Sequence, residues 1–186
     1  ESLMNDLSTL VNNYKQWLRE TNNRDELYKW EATKVFQDNW DIDAPDFSAM
    51  IKKAIAKSGN LLYMLARAHV LLAAKHFPDR TREIFRKLFD ETQELKGRMT
   101  EYISAMAALQ PELEAITSKP QNPHQDERTM AYFLAMRYPD RHYLYKDSYY
   151  RKTCEALGIP TAKAGEKYLH FLEIAAEIKH TYIEND

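Results

Sequence analysis

Glycine is scarce in this chain. Only 4 of its 186 residues are glycine, about 2% where proteins usually have about 7%. This scarcity argues against glycine-rich phosphate loops, β-sandwiches with many tight turns, and flexible linkers. None of the four, which are Gly59, Gly97, Gly158 and Gly165, stands before the Lys-Ser/Thr pair of a nucleotide-binding loop. We therefore expect no nucleotide-hydrolysis site within these residues.

Cysteine and long apolar runs are also lacking. The single cysteine, Cys154, excludes an internal disulfide framework and any cysteine-rich zinc module. No apolar run approaches the ~18 residues that a membrane span needs. The first residues show no signal-peptide pattern. Together these absences predict a protein of the reducing cytoplasm that has no membrane segment.

An excess of one charge is missing as well. The chain has 26 Lys and Arg residues against 28 Asp and Glu residues, which gives a formal net charge of -2. Overall charge therefore does not indicate a polyanionic partner. Hydrophobic residues make up 44% of the chain and charged residues 29%. These values are typical of a globular protein, so wholesale disorder is excluded.

Helical periodicity is the dominant pattern that the sequence does contain. Apolar residues recur at steps of three and four, as in amphipathic helices; the first such face consists of Leu3, Leu7, Leu10, Val11, Tyr14, Trp17 and Leu18. The only short strand candidate is Tyr143-Leu144-Tyr145. We predict an all-α fold of seven to nine helices. They form a single compact domain over residues 1–186, with a weak internal boundary near residues 111–123.

Several helix boundaries follow from local composition. Residues 61–77 are apolar nearly all round, which favours a central core helix. After Pro78, one helical period can continue through Met106. The prolines in residues 110–124 indicate a short helix followed by a loop. Tyr138-Pro139-Asp140 predicts a turn, because the residue before a proline avoids the helical region.

Candidate metal ligands and nucleophiles are weak. His69 and His76 are seven residues apart and could share a helix face, but no acidic partner stands at their spacing. His170 and His180 enclose two glutamates, and Cys154 is a lone cysteine. The more ordinary interpretations are structural histidines and a small core cysteine. We predict no catalytic residue, no metal ligand and no cofactor in this chain.

Acidic residues cluster in a loop over residues 38–46. Its carboxylates, Asp38, Asp41, Asp43 and Asp46, are dense enough for calcium, but the glycine and terminal glutamate of an EF-hand loop are absent. The favoured interpretation is a solvated loop in which Asp43 or Asp46 caps the following helix. Asp126 is likewise interpreted as a helix cap.

One segment combines positive charge with tyrosines. Residues 137–152, RYPDRHYLYKDSYYRK, contain five cations against two carboxylates, with five interleaved tyrosines. Cations neutralise phosphates, and aromatic faces stack on exposed bases. Residues 75–87 also contain five cations against two carboxylates. The alternative interpretation is that the tyrosines pack inward while the charges form a solvated rim.

These two segments and the acidic loop supply the candidate DNA-binding residues. Phosphate contacts are predicted for the cations Arg137, Arg141, Lys146, Arg151, Lys152, Arg80 and Arg82. Base stacking is predicted for the aromatic residues Tyr143, Tyr145 and Trp40. Binding through such residues should weaken with salt.

Five strings of the sequence together resemble a known family. They are LYKWEATKVFQDNWDIDAPDF at 27–47, KSGNLL at 57–62, FPDR at 77–80, LFDE at 88–91 and HQDERTMAYFLAMRYPDRHYLYK at 124–146. In this order they are similar to the N-terminal region of McrB-like restriction proteins, in which a helical segment precedes a GTP-hydrolysing AAA+ motor. The resemblance extends from about Tyr14 to the final helix.

The resemblance implies a targeting role. In McrB-type systems the N-terminal domain is expected to recognise DNA, often with modified cytosine, while the motor forms a ring and drives an McrC-type nuclease. DNA, the AAA+ motor domain of the parent chain and the nuclease are therefore the expected partners. The alternative is a protein-interaction or autoregulatory helical domain of the same machine that does not contact DNA. An independent enzyme is the weakest alternative, because no acid/base, metal or nucleophile set exceeds background.

Overall fold

Helices account for all the regular secondary structure that can be described. The computed structural model describes residues 24–120 and 122–182, together with Ser8, Thr9 and Asn12. Over these residues there are eight α-helices, one 3-10 helix and no strand, which confirms the predicted all-α class. In chain order they are α1 (Arg24–Asn39), α2 (Phe47–Ala54), the 3-10 helix (Gly59–Leu61), α3 (Met64–His76), α4 (Pro78–Leu88), α5 (Leu95–Thr117), α6 (Glu127–Arg137), α7 (Asp147–Leu157) and α8 (Lys167–Tyr182).

Two sequence predictions concern segments without a described helix. Tyr143-Leu144-Tyr145, the strand candidate, forms no strand. The helix predicted over residues 3–18 lies outside the described residues, apart from the three named above. Within the described part of the chain, no helix is both long enough and apolar enough to cross a membrane.

The chain divides into two compact units. The first unit contains Glu1–Tyr28 and Tyr145–Asp186, and the second contains Lys29–Leu144. The second unit therefore holds most of α1 and all of α2 to α6, while α7 and α8 belong to the first. Residues 111–123, the predicted weak boundary, lie inside the second unit. The single-domain interpretation stays a prediction.

Aspartates begin two helices as predicted. Asp46 Oδ1 accepts a hydrogen bond from the Ala49 N–H at 2.9 Å, and Asp126 Oδ1 accepts one from the Thr129 N–H at 3.0 Å. Each bond satisfies a first-turn amide that has no partner within its helix. At the other end of α6, the helix stops directly before the predicted Tyr138-Pro139 turn.

The helical period after Pro78 is interrupted. α4 ends at Leu88 and α5 begins at Leu95, so the continuous period predicted through Met106 is wrong. In the connection, Asp90 Oδ1 accepts hydrogen bonds from the Thr92 N–H at 3.1 Å and from the Thr92 hydroxyl at 2.6 Å. Such local side-chain bonds compete with helical backbone bonds. They explain why the chain turns here despite its apolar spacing.

Pro111 does not end its helix. The predicted separate short helix is wrong, because α5 continues through the proline to Thr117. The loop predicted after it is present over residues 118–120 and 122–126. A proline in a helix interior costs about 3 kcal/mol or more. Leu109 and Leu113, on either side of it, are 1% and 0% exposed. Their burial offsets the cost of the proline.

The core of the second unit is centred on the ring of Phe85. This side chain of α4 is fully buried. Its ring centroid lies 4.8 Å from Phe133 of α6 and 5.7 Å from Tyr102 of α5. Phe47 of α2 lies at 6.5 Å, and Trp40, directly after α1, at 5.4 Å. One ring therefore joins three other helices and the residue that follows α1, and its packing holds them together.

α3 lies at the surface of the second unit. Its buried residues are mostly small, and they are Ala66, His69, Val70, Ala73 and Ala74. The opposite side is exposed or half-buried and consists mainly of Met64, Leu65, Ala68, Leu71 and Leu72. The prediction of a central core helix over residues 61–77 is therefore wrong. An all-round apolar pattern does not reveal which side of a helix the rest of the fold covers.

The first unit packs around tyrosines of α7, of α8 and of the segment before α7. Tyr145, Tyr150 and Tyr168 are 6%, 0% and 0% exposed. The Tyr145 ring lies 5.9 Å from Tyr150, 6.0 Å from Tyr168 and 5.8 Å from Phe171. Cys154 of α7 is also buried, as predicted for a small core residue. This part of the chain therefore uses several of its tyrosines as core residues.

His69 is a buried histidine whose ring nitrogens lack hydrogen bonds. Its side chain is 3% exposed, and among the described residues neither Nδ1 nor Nε2 has a partner. Burial, with a smaller contribution from nearby His124, lowers the pKa of His69 from 6.5 to about 4. The fold therefore accommodates the neutral imidazole.

We expect His69 to make the second unit sensitive to acid. The unfolded chain takes up this proton near pH 6.5 and the folded chain only near pH 4. The contribution of His69 to the free energy of unfolding is therefore fully present above pH 6.5 and is lost between pH 6.5 and pH 4, by about 3 kcal/mol. Urea unfolding across this range measures the loss, and His69→Leu should remove it. A difference between wild type and variant that does not change with pH would contradict the assignment.

Candidate nucleic-acid interface

The basic, tyrosine-rich segment is divided between the two units. Residues 137–144 belong to the second unit and residues 145–152 to the first. The second unit holds the candidates Arg137, Arg141 and Tyr143. The first unit holds Tyr145, Lys146, Arg151 and Lys152. The segment therefore supplies two separate groups of candidate residues.

Two of the three predicted stacking residues are engaged in packing. Besides contacting Phe85, the Trp40 ring stacks on Phe36 at 5.0 Å and meets Phe89 edge-on at 5.3 Å. Tyr145 lies in the aromatic core of the first unit. Because both rings are held among other side chains, neither Trp40 nor Tyr145 is part of the contact proposed below.

Tyr138 holds two candidate cations against its ring. Its hydroxyl donates a hydrogen bond to the Phe89 carbonyl oxygen at 2.6 Å, which fixes the ring. The guanidinium carbons of Arg137 and Arg141 each lie 4.7 Å from the ring centroid. Contacts of this kind are attractive because the cation faces the electron-rich ring. Tyr143, 41% exposed, keeps part of its surface accessible to solvent.

Glu91 lowers the positive charge around Arg141. Its Oε2 lies 3.6 Å from Arg141 Nη1, and its Oε1 lies 3.5 Å from both Arg98 Nη1 and His142 Nε2. The buried Arg98 also donates to the Leu88 carbonyl oxygen at 2.7 Å. Burial lowers the pKa of His142, although Glu91 acts in the opposite direction. One carboxylate therefore compensates one of two guanidinium charges, while His142 is neutral at pH 7.

Three of the five cations in the second basic segment are paired with carboxylates of the same unit. Arg80 Nη1 lies 2.8 Å and 2.9 Å from the two carboxylate oxygens of Glu112. Arg82 donates to the Ile42 carbonyl oxygen, and its guanidinium lies 5.1 Å from the Phe47 ring centroid. Two more cations are paired in the same way, Arg86 with Asp43 and Lys87 with Glu101. Arg80 and Arg82 are therefore not part of the contact proposed below.

Asp147 binds two cations at the start of α7. Its Oδ1 accepts a hydrogen bond from Lys167 Nζ at 2.9 Å, and its Oδ2 accepts one from Arg151 Nε at 2.6 Å. The bond from Lys167, followed by the bond from Arg151, lowers the pKa of the Asp147 carboxyl below 3.8. The carboxylate is ionised at neutral pH and compensates the charge of Arg151.

Among the candidate residues near α7, Tyr149 has an exposed ring with a lysine on either side of it in the sequence. Tyr149 is 62% exposed, and Lys146 Nζ lies 5.0 Å from the centroid of its ring. Lys152, three residues after Tyr149, is a neighbour on the helix surface. Neither lysine pairs with a carboxylate among the described residues. We name Lys146, Tyr149 and Lys152 the α7 face.

Tyr149 is the residue that sequence reasoning missed. Stacking was predicted for Tyr143, Tyr145 and Trp40. The signal is in the spacing, because Tyr149 stands three residues from a lysine on each side. Tyr145 and Tyr150 occupy positions that face the core instead.

The remaining sequence candidates do not form a metal site. In the part of the chain that the structure describes, no group of three or more His, Cys, Asp or Glu side chains is placed to hold a metal ion. In the acidic loop, Asp38 pairs with Lys34 at 2.7 Å and Asp43 with Arg86 at 3.0 Å. Asp46 caps α2. These carboxylates therefore have partners within the protein.

Comparison with protein-family models, with curated proteins and with solved structures finds no match for this chain. The resemblance to McrB-like proteins stays a prediction that depends on its sequence strings. The regular secondary structure of the described residues is all helical. Their α7 face combines the exposed Tyr149 ring with two lysines that pair with no described carboxylate.

We expect Lys167→Met to raise the pKa of Asp147 towards 3.8, because Lys167 is the largest cause of its depression. NMR titration of the side-chain carboxyl carbon measures this pKa. Arg151→Met should raise it less. Lys163→Met removes an exposed lysine that pairs with Glu166 at 3.4 Å, and it should leave Asp147 unchanged. An unchanged pKa in Lys167→Met would refute this account of the ion pairs.

Proposed function

We propose that this chain is the DNA-recognition module of an McrB-like restriction protein, and that the α7 face makes the contact. The observation that carries the proposal is the Lys146 ammonium 5.0 Å from the centroid of the exposed Tyr149 ring, with Lys152 alongside. The ring offers a stacking surface to a base. The lysines neutralise the phosphates on either side of that base.

The geometry favours a base that is accessible outside a paired stack. Tyr149 stands on the outer surface of a helix, so its ring can stack only on a base whose own face is open. Such bases occur in single strands, at strand ends and in nucleotides turned out of a duplex. Because only two lysines flank the ring, we expect binding to be weak and sensitive to salt.

The second unit offers a separate group of contacts. Arg137 has no carboxylate partner among the described residues and lies against Tyr138. We propose Arg137 as a phosphate contact and Tyr143 as a further stacking surface. Arg141 contributes less, because Glu91 and Asp140 lie within 3.6 Å and 3.4 Å of its guanidinium. Arg151 is similarly weakened by its ion pair with Asp147.

In this proposal, hydrolysis and cleavage belong to other components. By resemblance, these are the AAA+ motor of the parent chain and an McrC-type nuclease, acting in the cytoplasm against foreign DNA. The chain described here supplies recognition, without a cofactor or catalytic residues of its own.

We expect Tyr149→Leu to weaken the binding of a fluorescein-labelled single strand at least about fivefold, since stacking of one base contributes about 1–3 kcal/mol. Tyr149→Phe keeps the ring and should retain the affinity. Fluorescence anisotropy at low salt measures both. Equal losses in the two variants would show that stacking on this ring does not occur.

Salt dependence tests the two lysines. If each neutralises one phosphate, these two lysines alone should contribute an about sevenfold fall in affinity for a single strand between about 50 and about 200 mM salt. The double variant Lys146→Ala/Lys152→Ala should lose most of this dependence. Lys53→Ala removes an exposed lysine from α2 and should leave the salt dependence unchanged. If the wild-type protein binds no single-stranded, duplex or cytosine-methylated DNA at low salt, the proposal is wrong.

A further inference from the structure

The outward side of α3 is an apolar stripe. Met64 is 72% exposed and Leu65 is 42% exposed. Ala68 is exposed, while Leu71 and Leu72 are half-buried. The spacing of three and four residues places these five side chains on one side of the helix. We name them the α3 face. An apolar helix side of this kind is typical of a protein-binding surface.

The charges on α3 are all of one sign. The helix, MLARAHVLLAAKH, contains no aspartate or glutamate. Arg67 borders the α3 face, and Lys75 lies at its C-terminal end. Neither side chain has a hydrogen bond or an ion pair with any described residue. Elsewhere in the same unit, by contrast, Arg80, Arg86 and Lys87 are each paired with a carboxylate.

We infer that the α3 face binds an acidic amphipathic helix of a partner protein. The apolar stripe packs against the apolar side of the partner helix. Arg67 and Lys75 pair with carboxylates that border this side of the partner helix. Ala68 is the smallest residue in the stripe and lies between Met64 and Leu72. A large side chain of the partner can pack over this small residue.

Charge argues against a second copy of this chain as the occupant. If two α3 helices were paired, all their charged side chains would be cations, so the contact would bring only like charges together. The half-burial of Leu71 and Leu72 argues against a lipid surface as the occupant. Of the five side chains in the stripe, only Met64 and Leu65 are both large and exposed enough to enter a bilayer. This inference is independent of the α7 face, which lies in the other unit.

Two synthetic peptides test the inference. Both are fluorescein-labelled amphipathic helices with a leucine stripe, flanked by glutamates in one and by lysines in the other. We expect the whole chain to bind the glutamate peptide at least about tenfold more tightly, as measured by anisotropy at low salt. The double variant Arg67→Glu/Lys75→Glu should reverse this preference. Equal affinity for the two peptides, or no binding of either, overturns the inference.

Apolar contact is tested by Met64→Asp. Loss of one buried side chain of this size should weaken binding of the glutamate peptide about tenfold or more. Ile159→Asp, at an apolar position of the other unit that is 37% exposed, is the matched control and should bind as wild type does. Circular dichroism and thermal unfolding verify that both variants are folded. If Met64→Asp binds the peptide as well as Ile159→Asp does, the inference is wrong.

The two other occupants give distinct results. In the first, the wild-type chain binds neither peptide but sediments with vesicles of phosphatidylcholine and phosphatidylserine, and Met64→Asp abolishes that sedimentation. This result would assign the α3 face to a membrane and overturn the inference. A wild-type dimer in analytical ultracentrifugation that becomes a monomer in Met64→Asp, again without peptide binding, would overturn it in favour of self-association.

Discussion

The second unit depends on the packing of one ring, Phe85. Trp40, Phe47, Tyr102 and Phe133 all lie against it, so α2, α5, α6 and the residue that follows α1 meet at a single point of α4. This arrangement also decides what the surface can bind. Trp40, beside the acidic loop, is predicted from the sequence to stack on bases, but its half-buried ring packs against four phenylalanines. The surfaces available for recognition are those that this core leaves uncovered.

Local structure could be predicted where neighbouring residues decide it. The caps by Asp46 and Asp126 and the turn at Tyr138-Pro139 involve groups within three residues of one another. The predictions failed where local and tertiary effects compete. Side-chain bonds at Asp90 end a helix that apolar spacing would continue. Burial on both sides of Pro111 preserves a helix that the proline would otherwise end.

The candidate site was harder to predict, because charge pairing joins distant parts of the chain. The two basic segments have the same excess of cations, yet their environments differ. Arg80 is paired with a glutamate 32 residues away and Arg86 with an aspartate 43 residues away. Lys146 and Lys152 meet no such partner among the described residues. The uncovered side of α3 is a similar case, since an apolar pattern on all sides does not indicate where the neighbours lie.

The order of the two units along the chain has a consequence for folding. The first unit is assembled from Glu1–Tyr28 and Tyr145–Asp186, with the whole second unit inserted between them. A continuous segment forms contacts of short sequence separation, whereas two distant segments meet only after a long loop has closed, at a cost in entropy. We therefore expect the continuous second unit to form at the lower entropic cost, and the first unit to depend on closure of the long loop that the second unit spans.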